Sequence, residues 1–296
     1  MEERDIKLST KVLILGSTGL IGHQVYSYLK AFTNFELSEL AHTEKLTKST
    51  IQIDALDEFT LFKSIEEICP DYIINCIGIL IDKADIEIER TIYLNSLMPH
   101  RLRKLADKIN SRLIHMSTDC VFSGLKGKSY IESDVKDGKD TYSKTKALGE
   151  VISDNHLTLR TSVVGPELKE DGDELFNWFM KQTGVIRGYT DVYWSGVSTF
   201  ELAKAVNWSI VHNISGLYHV TNNKKISKND LLILFRKYTN KDIDIIPSSS
   251  KKIDKSFIDT RLLIDYKIPN YDQMISDMVK LITNNEMYFQ NKANTF

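Results

Sequence analysis

Residues 11 to 29 leave the chain little choice of architecture. An apolar run, Lys11-Val-Leu-Ile-Leu15, passes directly into Gly16-Ser-Thr-Gly-Leu-Ile-Gly22 and then into a helical pattern from Leu20 to Leu29. Three glycines at G-x-x-G-x-x-G spacing between strand and helix serve three needs. One permits the tight turn, another lets backbone approach a pyrophosphate, and another lets the helix lie close on the strand. The helix start then offers free N–H groups and a partial positive charge to phosphate. Incidental glycines in a strand-turn-helix are the alternative reading.

The pattern that follows argues against accident. Strands read at Phe35 to Ala41, Thr50 to Ile53, Asp71 to Gly78, Arg112 to Met116 and Leu157 to Val163. Between them lie helical patterns at Glu58 to Ile68, stopped by Pro70, at Ala84 to Lys108, which Pro99 can kink or divide, and at Tyr142 to Ile152. Strands that are apolar throughout are covered by helices on both faces. The alternation predicts an α/β fold with a doubly wound parallel sheet and right-handed crossovers. Past Gly165 it loosens into helices at Glu174 to Gln182, Thr199 to Val211 and Lys228 to Tyr238, with short strands such as Gly216 to Val220. Ser248-Ser-Ser-Lys-Lys252 reads as a polar loop. The expected division is a dinucleotide-binding domain over residues 1–165, with later segments returning to its sheet, and a smaller, mainly substrate-binding lobe over residues 166–296.

Composition narrows the partners. Lys+Arg 38 against Asp+Glu 40 gives a net charge of -2, too little positive charge to coat a nucleic acid. The first ten residues, MEERDIKLST, are charged and carry no apolar run, which reads against a signal peptide. No apolar stretch approaches a membrane span. Cys69, Cys76 and Cys120 are odd in number and lack metal-ligand spacing, so they read as reduced thiols of a cytoplasmic protein, and no metal is expected.

Tyr142 and Lys146 lie four residues apart in a predicted helix, which sets both on one face. A free phenol titrates near 10, too high for ready proton exchange with a ketone. An ammonium about 5 Å away, at an effective dielectric near 20, favours the phenolate by roughly 3 kcal/mol. Tyr26/Lys30 and Tyr288/Lys292 repeat the spacing, but they sit in the first helix and the polar tail, away from the carboxyl ends of the strands where ligands bind. Tyr142 follows a loop leaving the fifth strand and can face those ends. That strand ends His115-Met-Ser-Thr-Asp-Cys-Val-Phe122. Ser117 and Thr118 point to opposite faces, so only one should meet a substrate carbonyl. A turn whose polar side chains satisfy backbone groups is the bland alternative. At the end of the second strand, Thr43 and Lys45 tolerate a ribose 2′-phosphate and no acid stands at the immediate strand end, which leans toward NADPH, Glu44 leaving NADH open.

With these residues together, the chain resembles the extended short-chain dehydrogenase/reductases. Gly16-x-x-Gly-x-x-Gly22, Asn75-Cys-Ile-Gly78, Ser117-Thr-Asp-Cys-Val-Phe122, Tyr142-x-x-x-Lys146 and Leu159-Arg-Thr-Ser162 carry the resemblance. Within that superfamily it is similar to the dTDP-4-dehydrorhamnose reductase group, from about Lys11 to about Ser276. The resemblance implies a Rossmann-type sheet with Thr118, Tyr142 and Lys146 catalytic. It implies a cofactor lined by Gly16, Thr18, Gly19, Leu20, Ile21, Gly22, Thr43, Asp54, Ala55, Cys76, Ile77 and Gly78 as well as Tyr142 and Lys146. Asp54 would lie on the adenine side, and Asn95 would be a support residue. Thr118, Asp119 and Cys120 would meet the substrate, a nucleotide-linked 4-keto-6-deoxy sugar used for surface polysaccharide.

Asn75-Cys-Ile-Gly-Ile79, Thr118-Asp-Cys-Val-Phe-Ser-Gly124, Gly188-Tyr-Thr190 and Gly216-Leu-Tyr-His219 resemble more closely a branch acting on UDP-linked acetamido-dideoxy-4-keto-hexoses. Two departures stand out from the rhamnose reductases. Cys120 replaces their usual tyrosine, and no Arg-Pro pair occurs near Lys255-Ser-Phe-Ile-Asp259. A nucleotide-sugar epimerase and a non-catalytic cofactor-binding subunit are the rival functions. A homodimer through the helices near Ala84 to Lys108 and Tyr142 to Ile152 is expected from the superfamily.

Overall fold

A computed structural model of the chain describes residues 10–284, apart from 170, 171, 173 and 262–265. Strand β1 (Lys11–Leu15), buried from Val12 to Leu15, is flanked in parallel by β2 (Glu36–Ala41) on one side and β4 (Tyr72–Asn75) on the other. Strand β3 (Ile51–Gln52) pairs with β2, β5 (Arg112–Thr118) with β4, and β6 (Leu157–Thr161) with β5. Strand Gly216–His219 returns to close the far edge beside β6. All seven strands run parallel, as the sequence predicts. Chain order reverses between β1 and β4, so a crevice opens at their carboxyl ends, where such sheets take ligands.

The two-residue period of a strand sends neighbours to opposite faces, each with its own core. Val12, Ile14, Ile74, Ile114 and Met116 pack with Val25 and Leu29 of α1 (Gly22–Phe32) and with Leu202 and Val206 of the helix Thr199–Val211. Leu13, Leu15, Ile73 and Leu113 pack with Leu61 and Ile65 of α2 (Glu58–Ile68) and with Leu102 and Leu105 of the helix Met98–Lys108. Helix α2 starts on an Asp57 cap and stops at Cys69, whose left-handed φ of 49° turns the chain into Pro70. A second sheet pairs Gly184–Trp194 in parallel with Ile243–Asp254 and antiparallel with Ile226–Ser227.

Several expectations need correction. The helix predicted from Ala84 to Lys108 is four pieces: short helices Ile81–Ala84 and Ile88–Thr91, a π-helical turn Ile92–Leu97, and the helix Met98–Lys108. Pro99 does not break it. It sits in the first turn of the last piece, where its missing N–H costs nothing. The helix predicted to reach Ile152 ends at Leu148, and the sixth strand ends at Thr161 with a separate pair at Val163–Val164. Ser248 to Lys252 is no loop but the site of a register shift inside the strand Ile243–Asp254. A helix at Tyr271–Thr283 carries an apolar face that the sequence reading did not pick out. Tyr288 and Lys292 lie outside the described residues.

Candidate active site

Gly16 leaves β1 with φ at 78°, a conformation only glycine takes without strain, and both it and Ser17 donate backbone N–H to the Leu40 carbonyl of β2. A Cβ on Gly22 would stand 2.1 Å from the Gly16 carbonyl oxygen, so α1 can lie this close only with glycine there. No side chain caps the start of α1 and no acid occupies its first turn. Thr18, Gly19, Leu20 and Ile21 line the turn partly exposed, while the Ser17 hydroxyl is buried without a partner. This cradle fits a pyrophosphate. Beside it, Cys76 and Ile77 follow β4 so closely that a Cβ on Gly16 would touch both at 3.2 Å. Burial pushes the Cys76 thiol up to about 12, so it is a neutral wall residue rather than a nucleophile.

Near the carboxyl ends of β2 and β3, Asp54 follows β3, caps the Leu56 N–H at 3.0 Å and lies 3.3 Å from His42 and 3.9 Å from Arg90. Ala55 is buried behind it, and Thr43 and Lys45 are exposed at the end of β2. These residues share one end of the cleft with the glycine turn of β1.

Ser117 and Thr118 face opposite sides of β5, as their positions require. The Ser117 hydroxyl is buried on Glu150 at 2.7 Å, which leaves Thr118 for the cleft. Thr118 also serves the turn: its oxygen accepts from the Cys120 N–H at 3.1 Å and its hydroxyl donates to Asp119 at 3.2 Å. The turn of polar side chains satisfying one another and the backbone is therefore present.

Asp140 caps the helix Thr141–Leu148, its carboxylate accepting from the Ser143 N–H at 2.7 Å and the Ser143 hydroxyl at 2.8 Å. The Tyr142 phenol reaches the Thr118 side chain. Lys146 is buried and donates its ammonium to the Met116 carbonyl at 2.7 Å. The expectation that this ammonium lowers the phenol fails. Burial pushes Tyr142 well above its ordinary value, Cys120, Asp119 and Glu174 add to the rise, and the Thr118 hydrogen bond opposes it. The cause is burial of the phenol away from water, which penalises a phenolate, with the Lys146 ammonium donated to a backbone oxygen. Burial also brings Lys146 down to about 8, with Glu150 and Cys76 opposing.

The π-helical turn ties these parts together. Asn95 accepts from the Ile79 N–H at 2.8 Å and donates to the Ile79 carbonyl at 3.0 Å, and Ser96 donates to the Thr145 carbonyl at 2.8 Å. Gly78 lies in this clamp: a Cβ there would meet Asn95 at 3.2 Å and the Lys146 ammonium at 4.0 Å. Asn95 is thus placed to hold the strand end against the Tyr142 helix.

Local patterns missed three residues. Glu174, Lys228 and Lys255 come from the C-terminal half to the Asp119–Cys120 end of the cleft. The Lys255 ammonium donates to the Cys120 sulfur at 3.5 Å, and Lys228 lies over the Trp194 ring at 5.4 Å. Only Lys255 carried a signal, the stretch Lys255–Asp259 where a substrate motif is expected. Of the finer motifs, Gly188-Tyr-Thr190 lies in the second sheet and Gly216-Leu-Tyr-His219 forms the edge strand beside β6.

A model of the RmlD substrate-binding domain matches residues 10–256. The chain belongs to that family. Among curated relatives, the spore coat polysaccharide biosynthesis protein SpsK of Bacillus subtilis is 27% identical over 72% of this chain and 74% of its own. A dTDP-4-dehydrorhamnose reductase of Aggregatibacter actinomycetemcomitans is 29% identical over 51% of each chain, so the match spans about half of that curated relative. In shape, the chain is similar to a dTDP-4-dehydrorhamnose reductase of Clostridium acetobutylicum, with TM-score 0.77, 21% identity and 92% and 99% of the two chains covered. The enzyme of that name from Bacillus anthracis, in complex with NADP, gives TM-score 0.77 at 20% identity over 91% and 98%. At these identities the solved structures bear on the fold alone.

Proposed function

We propose that this RmlD-family chain is an NAD(P)H-dependent oxidoreductase that reduces the C4 ketone of a nucleotide-linked 4-keto-6-deoxy sugar for surface polysaccharide precursors. The observation that carries the reading is the convergence of Thr118, Tyr142 and Lys146 on one cleft beside a glycine turn built for a pyrophosphate. NADPH is the favoured cofactor and NADH the alternative. Curated relatives named for dTDP-sugars favour that nucleotide. The UDP-linked branch rests on the sequence motifs alone.

Gly16, Thr18, Gly19, Leu20, Ile21 and Gly22 would hold the pyrophosphate, Asp54, Ala55 and Thr43 the adenosine end, and Cys76, Ile77 and Gly78 the wall between. When bound there, the cofactor supplies a hydride to the ketone carbon. Tyr142 gives its proton to the oxygen as negative charge develops and recovers one from solvent. Its raised pKa keeps that proton in place until the acceptor becomes basic. Thr118 donates to the same oxygen, Lys146 holds the ribose, and Asp119 and Cys120 line the sugar. The lobe around Gly184–Trp194 covers the substrate.

A panel of 4-keto-6-deoxy-hexose nucleotides, each with NADPH or NADH, tests the reading at the nicotinamide absorbance. Stoichiometric cofactor consumption is expected with at least one dTDP- or UDP-sugar. Turnover with no net consumption would point to an epimerase. Tyr142→Phe should lose roughly a hundred- to ten-thousand-fold in rate while still binding cofactor, and full activity in that variant refutes the assignment.

Three unpaired thiols suit the reducing cytoplasm, and two copies pair through the apolar outer face near Leu80 to Leu97 and Leu148 to Ile152.

A further inference from the structure

Three consecutive residues of β5 are each reached by a side chain from one stretch of chain. Thr118 meets Tyr142, the Met116 carbonyl takes the Lys146 ammonium at 2.7 Å, and the Ser117 hydroxyl donates to Glu150 at 2.7 Å. Glu150 follows Lys146 by four residues, just past the end of the helix Thr141–Leu148. It has no part in the chemistry above, yet its carboxylate is buried and fully engaged. Arg160, on β6 directly beside Ser117, grips it with a two-pronged fork, Nε and Nη2 both at 2.8 Å. Lys136 lies 3.1 Å from one of its oxygens.

Arg160 is itself over-determined. It is 1% exposed and lies over the Phe122 ring at 4.9 Å. Its Nη1 donates to His219 Nε2 at 2.8 Å, while His219 Nδ1 gives its proton to the Ile258 carbonyl at 2.9 Å. That arrangement needs a neutral imidazole, and burial holds His219 at about 4. A fixed, bidentate, doubly backed carboxylate next to a catalytic helix is a stiff reference point.

We propose that Glu150, locked by Arg160, is a positioning residue for Lys146, fixing the helix against β5 and supplying the anion that keeps the buried ammonium charged. The proposal rests on the reading of Lys146 as part of the reaction machinery. The groups facing Lys146 agree with it. Cys76, just past β4, is a neutral thiol, and His115 on β5 is buried and kept neutral. Glu150 is the largest influence opposing the loss of charge that burial imposes on Lys146. Around Glu150 itself stand Arg160, Ser117, Lys136 and, past Arg160, His219 with Glu132.

The test follows the Lys146 titration in the full chain by NMR of 13C-labelled lysine ε-methylenes, assigned with Lys146→Met. Glu150→Gln alone strands a buried guanidinium and can unfold the chain. The double variant Glu150→Gln/Arg160→Met removes both partners and avoids that. Loss of Arg160 by itself would raise the midpoint, so a fall reports on Glu150. A fall of about one pH unit is expected in the double variant, and near-wild-type titration in Glu150→Asp. At pH 8 that fall cuts the charged fraction of Lys146 about fivefold, read as an equal fall in kcat/KM for the cofactor with KM for the sugar unchanged. A midpoint unmoved in the double variant overturns the proposal. If no sugar is turned over at all, the reductase reading fails while the titration still decides this one.

Discussion

Burial raises the Glu174 carboxyl to about 7, Glu167 adding to the rise and Lys228 opposing it. The folded value lies above the ordinary 4.5, so between about 4.5 and 7 the native state holds a proton that the unfolded chain has released. Stability therefore falls as pH rises through that window, and above it the fold carries a buried carboxylate at a cost of up to about 3 kcal/mol. Glu174→Gln should match the wild type in urea unfolding near pH 4.5 and exceed it by about 2 kcal/mol at pH 8.5. An equal difference at both values would mean that the carboxyl is solvated. The same residue adds to the rise at Tyr142. Sequence spacing led to the opposite sign at Tyr142 because spacing carries distance but not dielectric.

At the level of elements, the glycine turn, the parallel strands and the Tyr142 helix were legible because their signals are local: an apolar run, three glycines, a four-residue repeat. The π-helical turn was not, since nothing within Ile92–Leu97 announces an extra residue. What sustains it is tertiary, the bonds of Asn95 to Ile79 and of Ser96 to Thr145. Glu174, Lys228 and Lys255 escaped notice for the same reason, reaching Asp119 only after the chain folds back. Gly149 shows how closely the turn is packed. Its φ of -80° would accept alanine, but an added Cβ would stand 1.9 Å from the Asn95 carbonyl oxygen. The penalty is contact rather than backbone strain. Gly149→Ala should lose about 2–3 kcal/mol in thermal or urea unfolding. Displacing the turn against the helix by a fraction of an ångström should also cut kcat, by about a hundredfold at the extreme. Unchanged kcat in a destabilised variant would separate the turn from catalysis.

For the molecule as a whole, the outer face above this turn is unusually apolar for a surface left in water. Ile86 is 81% exposed, Ile152 70% and Leu148 69%, with Ile88, Ile92 and Leu97 close to half. Exposed apolar side chains gathered in one region, here among the charges of Asp82, Lys83, Asp85 and Glu89, commonly mark an interface. Pairing two copies there would cover Leu148 at the end of the Tyr142 helix and press on the segment whose Asn95 and Ser96 clamp that helix. Assembly and activity should then move together. Sedimentation velocity is expected to give twice the 33.9 kDa chain mass at micromolar concentration. Leu148→Glu/Ile152→Glu, both at exposed positions, should yield a folded monomer with lower kcat and unchanged cofactor affinity. A wild-type chain that sediments as a monomer, or a split variant with full kcat, would detach the interface from the site and leave the π-helical clamp self-sufficient.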